Sequence, residues 1–436
     1  MAVIRVSGPQ AVAIAGRCFF PASRKAVSLF PSHTVHYGHV RRHGQIIDEV
    51  LLTLMRAPRT FTREDTVEIS AHGGLLPAKL VLDTLLENGA RLAMPGEFTK
   101  RAFLNGRIEL TQAEAVADLI HARTELALQA AQEQLTGKLA GRINQLRDEM
   151  IRILAHVEAY IDFPDEDIQP ETGAELLSSL RRTVAFLDEL LRTATEGQIL
   201  RRGIRAAIIG RPNAGKSSLL NELLGHERAI VSAIPGTTRD TIEETANIRG
   251  IPVVFVDTAG LREAQDAIEF EGIRRSRAAL HSAELILHVF DGSEPWQPED
   301  TAHLEEFKEK KRILIRNKSD LPRQLAAPEA CGPVLDVSCR TGAGLEAMKD
   351  RIAEMVWGGK IRAEMLEVMI NSRHQEALQR ARTAAGQAIQ LLDSAQPIEL
   401  AAFELRTATN AIGEVVGKTA TEDILDSIFS QFCIGK

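Results

Sequence analysis

The sequence predicts a multidomain fold mixing α/β and all-α parts: an N-terminal α/β domain, a helical domain, and a second α/β unit inserted into the helices. Three observations predict it. Strand-like runs and a helix share the first 105 residues. Apolar residues recur three or four apart on both sides of the centre. The centre itself alternates apolar strands with helical stretches around GRPNAGKSSLL at 210–220.

Composition bounds the problem first. A chain of 436 residues can hold two to four domains, and 44% hydrophobic content suits globular cores. No stretch reaches the roughly 18 unbroken apolar residues of a membrane span. The opening MAVIRVSGPQ breaks its apolar run at Arg5 and is not a signal peptide. Cys18, Cys331, Cys339 and Cys433 lack metal-binding spacing and suit a reducing, cytoplasmic setting. A net charge of -7 requires any nucleic-acid surface to be local. RRHG at 41–44 and RRSR at 274–277 are candidates, although solvated surface explains them more simply. Two Tyr and two Trp leave few residues for stacking bases.

In the N-terminal domain, residues 1–105, TVEIS and LLTLM read as strands, and LLPAKLVLDTLLENG reads as a helix closed by Gly89. Leu135, Leu139, Ile143, Leu146, Met150, Ile153 and Val157 then mark one face of a long helix. The acidic turn DFPDEDIQPETG interrupts at 162–173, and Leu176, Leu180, Val184 and Leu187 begin another helix. This first helical part covers 106–203. Across 204–355, AAIIG, VVFVD, LILHVF and RILIRN predict a parallel sheet with crossover helices. Residues 356–436 are helical again, ending in a helix Glu422–Phe432 behind Thr421. Packing the late helices on the early ones makes 204–355 an insertion; four consecutive domains are the alternative.

The central motif matches GxxxxGK[ST] after a strand and before the helical SSLLNELLG. Gly210 and Gly215 permit a turn that aims backbone N–H groups of Asn213, Ala214, Gly215, Lys216, Ser217 and Ser218 at phosphate oxygens. Lys216 reaches the β and γ phosphates and Ser217 ligates Mg²⁺. DTAG ends the next strand, with Asp257 holding Mg²⁺ through water and Thr258 and Ala259 leading to the γ-phosphate-sensing N–H of Gly260. NKSD follows strand RILIR. Asp320 accepts both the N1–H and exocyclic amine of guanine, Asn317 faces the other base edge and braces the phosphate loop, and Lys318 lies between them. The backbone of Ser338, Cys339 and Arg340 meets the guanine O6, and Thr238 completes the Mg²⁺ shell. The order of these motifs implies GTP rather than ATP.

For hydrolysis, Leu261 follows DTAG, where Ras-type GTPases place a water-orienting Gln. Asn213 is a candidate ligand for a monovalent cation, or it merely shapes the turn. Glu269 can orient a water and Arg262 can steady the loop, but Glu263, Asp266 and Glu271 are equally eligible by spacing.

AVIRVSG, VEISAHGG at 67–74, MPGEFTKRAFLNGRIELTQAEAVADLI at 94–120, GRPNAGKSSLLN, IPGTTRD at 234–240, DTAGLRE, NKSD and terminal FCIGK together resemble the MnmE (TrmE) family. The resemblance implies an N-terminal dimerisation and folate-binding domain, a helical domain in two parts, and a Ras-like P-loop G domain inserted between them. It implies a potassium-activated GTP hydrolase, homodimeric, that works on tRNA with MnmG (GidA), an FAD protein using NADH. The product would carry an aminomethyl or carboxymethylaminomethyl group at C5 of the wobble uridine, from a 5-formyl- or methylene-tetrahydrofolate donor.

Residue by residue, the resemblance makes Asn213 the potassium ligand and draws Ser232, Ile234 and Thr237 into that shell, within the loop that includes Ala233, Pro235 and Gly236. It makes Ser217 and Thr238 the magnesium ligands and Glu269 the catalytic glutamate. Arg5, Glu68, Arg107 and Lys436 fall at folate contacts: a carboxylate suits the pterin N–H edge, and cations suit the folate carboxylates. Cys433 is either a nucleophile of lowered pKa or a small packed side chain. The chain departs from the family in three places. It begins directly at MAVIRVSG where a further strand is usual, FTREDTVE replaces a wording with glycine, and Arg107 stands where Lys is common. The rival class is a GTP-binding switch, such as a ribosome-assembly GTPase, which has no use for a folate set at both chain ends.

Overall fold

The computed structural model describes residues 1–162, 173–225, 244–256, 282–326, 332–357, 369–394, 396–430, 432 and 435. They form two compact units, Met1–Ala117 with Asn410–Lys436, and Asp118–Thr409. Among the described residues no helix is long and apolar enough to cross a membrane.

The first unit is built on a five-stranded antiparallel sheet of β1 (Ala2–Ser7), β2 (Phe19–Pro21), β3 (Thr34–Arg42), β4 (Gln45–Met55) and β5 (Thr66–Ala71). Their order is β1-β5-β4-β3-β2. Alternation decides which face is covered: Val50, Leu52 and Leu54 of β4 and Val67, Ile69 and Ala71 of β5 all point to one side. There they meet Ile14 and Cys18 of α1 (Ala11–Cys18) and Val81 and Leu85 of α2 (Leu75–Glu87). Gly89, at φ +104, ends α2 as its sequence pattern predicts.

The end of the chain joins this unit. In α3 (Glu97–Leu104), α4 (Leu110–His121) and α14 (Glu422–Phe429), Leu110, Ala113 and Ala117 pack with Leu425, Ile428, Phe429 and Phe432. Gly96, at φ +66, leaves room for the Phe429 carbonyl, which would lie 2.6 Å from a Cβ. The last helix stops at Phe429 rather than Phe432. Glu97 anchors the start of α3. Its carboxylate accepts from Arg91 Nη1 at 2.8 Å, the Met94 N–H at 2.9 Å and Arg101 Nε at 3.1 Å.

In the second unit, the predicted apolar stripe is buried on α6 (Lys138–Asp162), from Leu139 to Val157. Leu135 is a correction: it ends a separate helix, α5 (Glu125–Leu135), because Gly137 turns at φ +83. Then follow α7 (Gly173–Arg192) and α8 (Ala194–Arg202). After the sheet described below, α12 (Ser372–Asp393) and α13 (Ile398–Val416) resume the helices, and α12 lies against α7 and α8. The buried Ala377, Ala381, Ala384, Ala385 and Ala388 allow α12 a close approach. Gly197 of α8 does the same for the Ile370 carbonyl, and the buried Gln134 amide donates to Met369 O at 3.0 Å.

The sheet of this unit has the order β11-β10-β9-β6-β8-β7. Its strands are β6 (Ile204–Ile209), β7 (Glu244–Ile248), β8 (Ile251–Phe255), β9 (Leu285–Asp291), β10 (Lys311–Asn317) and β11 (Val334–Asp336). α9 (Lys216–Gly225) lies between β6 and β7, α10 (Pro298–Glu306) crosses between β9 and β10, and α11 (Leu345–Trp357) follows the last strand. The predicted sheet is parallel except at β7, which pairs antiparallel with β8. Arg249 at φ +55 and Gly250 at φ +86 make the two-residue turn that joins them.

Two predictions follow from this packing. Gly197→Ala puts a Cβ 2.5 Å from Ile370 O and should destabilise by about 1–3 kcal/mol, read as a lower urea midpoint. Hydrogen bonds from Arg91, with help from Met94 N–H and Arg101 against the opposing effect of burial, hold the Glu97 carboxyl down to about 2. Its folded pKa lies below the unfolded one, so its stabilisation is present above the ordinary glutamate value and fades as pH falls toward 2. Glu97→Gln should lower Tm at pH 7, at a cost of roughly 2 kcal/mol, and flatten the loss of Tm between pH 5 and pH 3.

Candidate functional site

β6 runs into the loop 210–217, whose shape is forced by close approaches. Gly210 takes φ +146, and a Cβ there would sit 2.1 Å from Val289 O. Gly215 takes φ +94, and a Cβ would sit 2.1 Å from Asn317 Nδ2. No other residue fits either place. Asn213 takes φ +64, a conformation asparagine tolerates better than most side chains. α9 starts at Lys216, so its first N–H groups are free of intrahelical partners and face an anion-binding position.

Lys216 folds back over this loop, its Nζ donating to Gly210 O at 2.9 Å and Arg211 O at 2.8 Å. Burial pushes its pKa down. Arg211 fastens the loop to α10 through Asp300 Oδ1 at 3.1 Å and Glu294 at 2.9 Å. Asp300 is fully buried, and its other oxygen accepts from the Gln297 N–H at 3.0 Å. The sequence reading missed this clamp. QPED at 297–300 signals only the helix start, where an acid three residues after a polar residue, with Pro between, forms a capping box.

The far wall of the cleft comes from the ends of β10 and β11. Asn317, 3% exposed, donates to Ala214 O at 3.0 Å and accepts from the Cys339 N–H at 3.2 Å. Lys318, at φ +61, pairs with Asp291. Asp320 accepts from the buried Ser338 hydroxyl at 2.6 Å, which with nearby Arg340 lowers its pKa. Burial pushes the Cys339 thiol up to about 11, so at neutral pH this residue offers its backbone rather than a thiolate. The cleft encloses about 700 Å³, lined at one end by Asn213, Lys216, Ser217 and Ser218, and at the other by Asp320 and Arg340. The residues expected from the sequence to hold phosphate and to read the base therefore line one cavity. Ala214 is buried beneath the loop.

Among the described residues, no three His, Cys, Asp or Glu side chains converge as a metal site. Ser232, Ala233, Ile234, Pro235, Gly236, Thr237 and Thr238 lie outside the described residues, as do Asp257, Thr258, Ala259, Gly260 and Glu269. Glu263, Asp266 and Glu271, Cys433 and Lys436 lie outside them too.

In the first unit, Arg5 and Glu68 face each other across β1 and β5 and pair at 2.7 Å. Arg5 also donates to Gly435 O at 3.4 Å and stands 5.6 Å from the Phe98 ring. It lines a cavity of about 650 Å³ with Leu85, Arg91, Phe98, Arg101 and Gly435. Arg107 is not brought to this wall. It donates to Thr60 O and lies 5.4 Å from the Phe61 ring.

Comparison with known proteins spans the whole chain. The MnmE helical domain matches residues 110–433, and the GTP-binding protein TrmE N-terminus matches residues 1–107. The tRNA modification GTPase MnmE of Geobacillus kaustophilus is 46% identical over 444 residues, covering 100% of this chain and 96% of that relative. The protein of the same name from Listeria welshimeri is 45% identical over 442 residues, with the same coverage. Among solved structures, the G domain of the T. maritima FeoB iron transporter is 28% identical over 35% of this chain and 98% of its own, at a TM-score of 0.26. On two family matches and full-length identity to these relatives, the chain belongs to the MnmE family of tRNA modification GTPases.

Proposed function

We propose that this GTP hydrolase of tRNA modification is potassium-activated and works with an MnmG-type flavoprotein on the wobble uridine. The observation that supports its nucleotide-binding part is the cleft in which the loop 210–217 and Asp320 stand at opposite ends, braced by Asn317; the potassium, flavoprotein and wobble-uridine parts rest on the family resemblance. The N–H groups opening α9 would hold the β-phosphate, with Lys216 turning from its loop carbonyls to the β and γ phosphates. Asp320, its carboxylate already oriented by Ser338, would accept the two guanine donors.

Ser217 with Thr238 would ligate Mg²⁺, and Asn213 with Ser232, Ile234 and Thr237 would ligate K⁺. Bound there, the alkali ion supplies positive charge where an arginine would otherwise reach. The left-handed backbone at Asn213 supports this reading, since it sets the asparagine on the exposed rim of the loop. Asp257 and the Gly260 N–H would complete the phosphate side, and Glu269 would orient the attacking water.

The proposed organisation keeps residues 1–105 as the dimerisation and folate domain, 106–203 with 356–436 as one helical domain, and 204–355 as the inserted G domain. A cytoplasmic homodimer would meet the flavoprotein as a heterotetramer. Arg5 and Glu68, with Lys436 and Arg107, would bind the 5-formyl- or methylene-tetrahydrofolate donor. The adjacency of Arg5, Glu68 and Gly435 supports the part of this set formed by the two chain ends.

Asn213→Ala should abolish the advantage of potassium over sodium in steady-state GTP hydrolysis while leaving GDP affinity within about threefold. A variant still stimulated by potassium removes the cation role. Asp320→Asn should weaken GTP by roughly 100-fold, as an unpaired buried donor costs about 1–3 kcal/mol. The same change should favour XTP, because the amide donates to the xanthine O2. Competition binding with both nucleotides measures the exchange, and an unaltered preference rules out base reading by Asp320.

A further inference from the structure

Outside the cavity of the first unit, two turns are stitched together by arginines. Arg63 adopts φ +58, which side chains rarely take, and its Nη1 donates to Asn105 O at 2.9 Å. Asn105 Nδ2 returns a bond to Thr62 O at 2.6 Å. Arg107 donates to Thr60 O beside the Phe61 ring, and the Arg59 carbonyl bonds His33 Nε2 at 2.9 Å. The side chains of Arg63 and Arg107 are thereby held together, Arg59 adjoins them in the same turn, and all three residues are exposed. None of the three forms an ion pair among the described residues, unlike their neighbours.

The nearby carboxylates are engaged elsewhere. Glu64 accepts from Arg101 at 3.0 Å and Ser7 at 3.0 Å, and Asp65 accepts from the Ala57 N–H at 2.9 Å. The other basic cluster in this unit behaves differently: Arg42 pairs with Glu87, and Arg41 lies 4.7 Å from the Phe20 ring. On a chain of net charge -7, an uncompensated cluster of guanidinium groups is a local exception.

We propose that Arg59 and Arg63, beside Arg107, form a contact surface for the phosphodiester backbone of the tRNA, an inference that rests on the tRNA-modification reading. Guanidinium forks match phosphate oxygens in pairs, and neutralised phosphates release counterions. These side chains do not line the 650 Å³ cavity and stand on an open face. An extended polyanion fits an open patch. Because Arg107 also belongs to the proposed folate set, the test uses the other two arginines.

The full chain, assembled with its flavoprotein partner, is titrated with a fluorescent tRNA transcript carrying a wobble uridine across a range of NaCl concentrations. Arg63→Gly suits φ +58 and so preserves the fold. It should weaken tRNA binding by about 3- to 10-fold and reduce the log K against log salt slope by about 0.7–0.9. Arg59→Glu/Arg63→Glu should weaken binding by roughly 100-fold. Basal GTP hydrolysis and 5-formyl-tetrahydrofolate affinity should stay unchanged in both. Wild-type affinity and slope in Arg63→Gly overturn the proposal, even if the double variant misfolds. Lost folate affinity with intact tRNA binding overturns it in favour of a folate-tail site. If the wild-type complex itself binds no tRNA, the tRNA reading fails first.

Discussion

The contact between Gly215 and Asn317 is the constraint on which the nucleotide cleft depends. The amide of Asn317 reaches into the space a Cβ of Gly215 would occupy, and from there it bonds Ala214 O. Its oxygen takes the Cys339 N–H. One buried side chain thus joins three loops that are far apart in sequence. A buried amide stripped of its partners costs about 1–3 kcal/mol, several times a typical exposed ion pair. The surface pairs around the cleft contribute register. The amide sets the distance between the phosphate end and the base end.

The second unit uses the same device at larger scale. Gly210 admits Val289 O, Gly344 admits Asp336 O, and Gly197 admits Ile370 O. In each case a missing side chain lets backbone meet backbone where an ordinary residue would force the elements apart. The first unit joins its ends similarly, through Gly96 against Phe429 and Arg5 against Gly435. Long-range closure in this chain is therefore carried by small residues and buried polar groups as well as by apolar clusters.

The strands and the helical stripes were legible because each obeys one period. VVFV is apolar throughout, LILHVF is apolar but for the buried His288, and both proved buried on both faces, while the Leu139–Val157 spacing maps onto one face of α6. What escaped notice was local backbone geometry. The stripe gave no warning at Leu135, because Thr136-Gly137 carries the break and the apolar spacing continues across it. β7 was missed because ETANI has few apolar residues, and its signal is the turn Arg249-Gly250. The nucleotide motifs could be read singly, yet the Arg211–Asp300 clamp could not, since nothing in either segment announces its partner. The wording FTREDTVE was visible as a departure. That its Arg63 holds a left-handed backbone against Asn105 is a tertiary fact.

β7 also illustrates how the sheet is finished. Among the described residues it is an edge strand, paired with β8, and exposed edges invite unwanted pairing. The helical segment before the sheet supplies a cover. Arg123 Nη1 donates to Thr245 Oγ1 at 2.9 Å, and a Cβ on Gly250 would lie only 3.1 Å from Leu126 Cβ. Arg249, held left-handed at the turn, spreads between Glu346 and Asp350 of α11 at 2.8 and 2.7 Å. The turn is therefore gripped from two sides, by a helix before the sheet and by the helix that ends it. A hairpin whose sequence pattern is weak thus owes its placement to its neighbours. Such a strand follows its surroundings, whereas β6 and β9, buried and mainly apolar, dictate theirs.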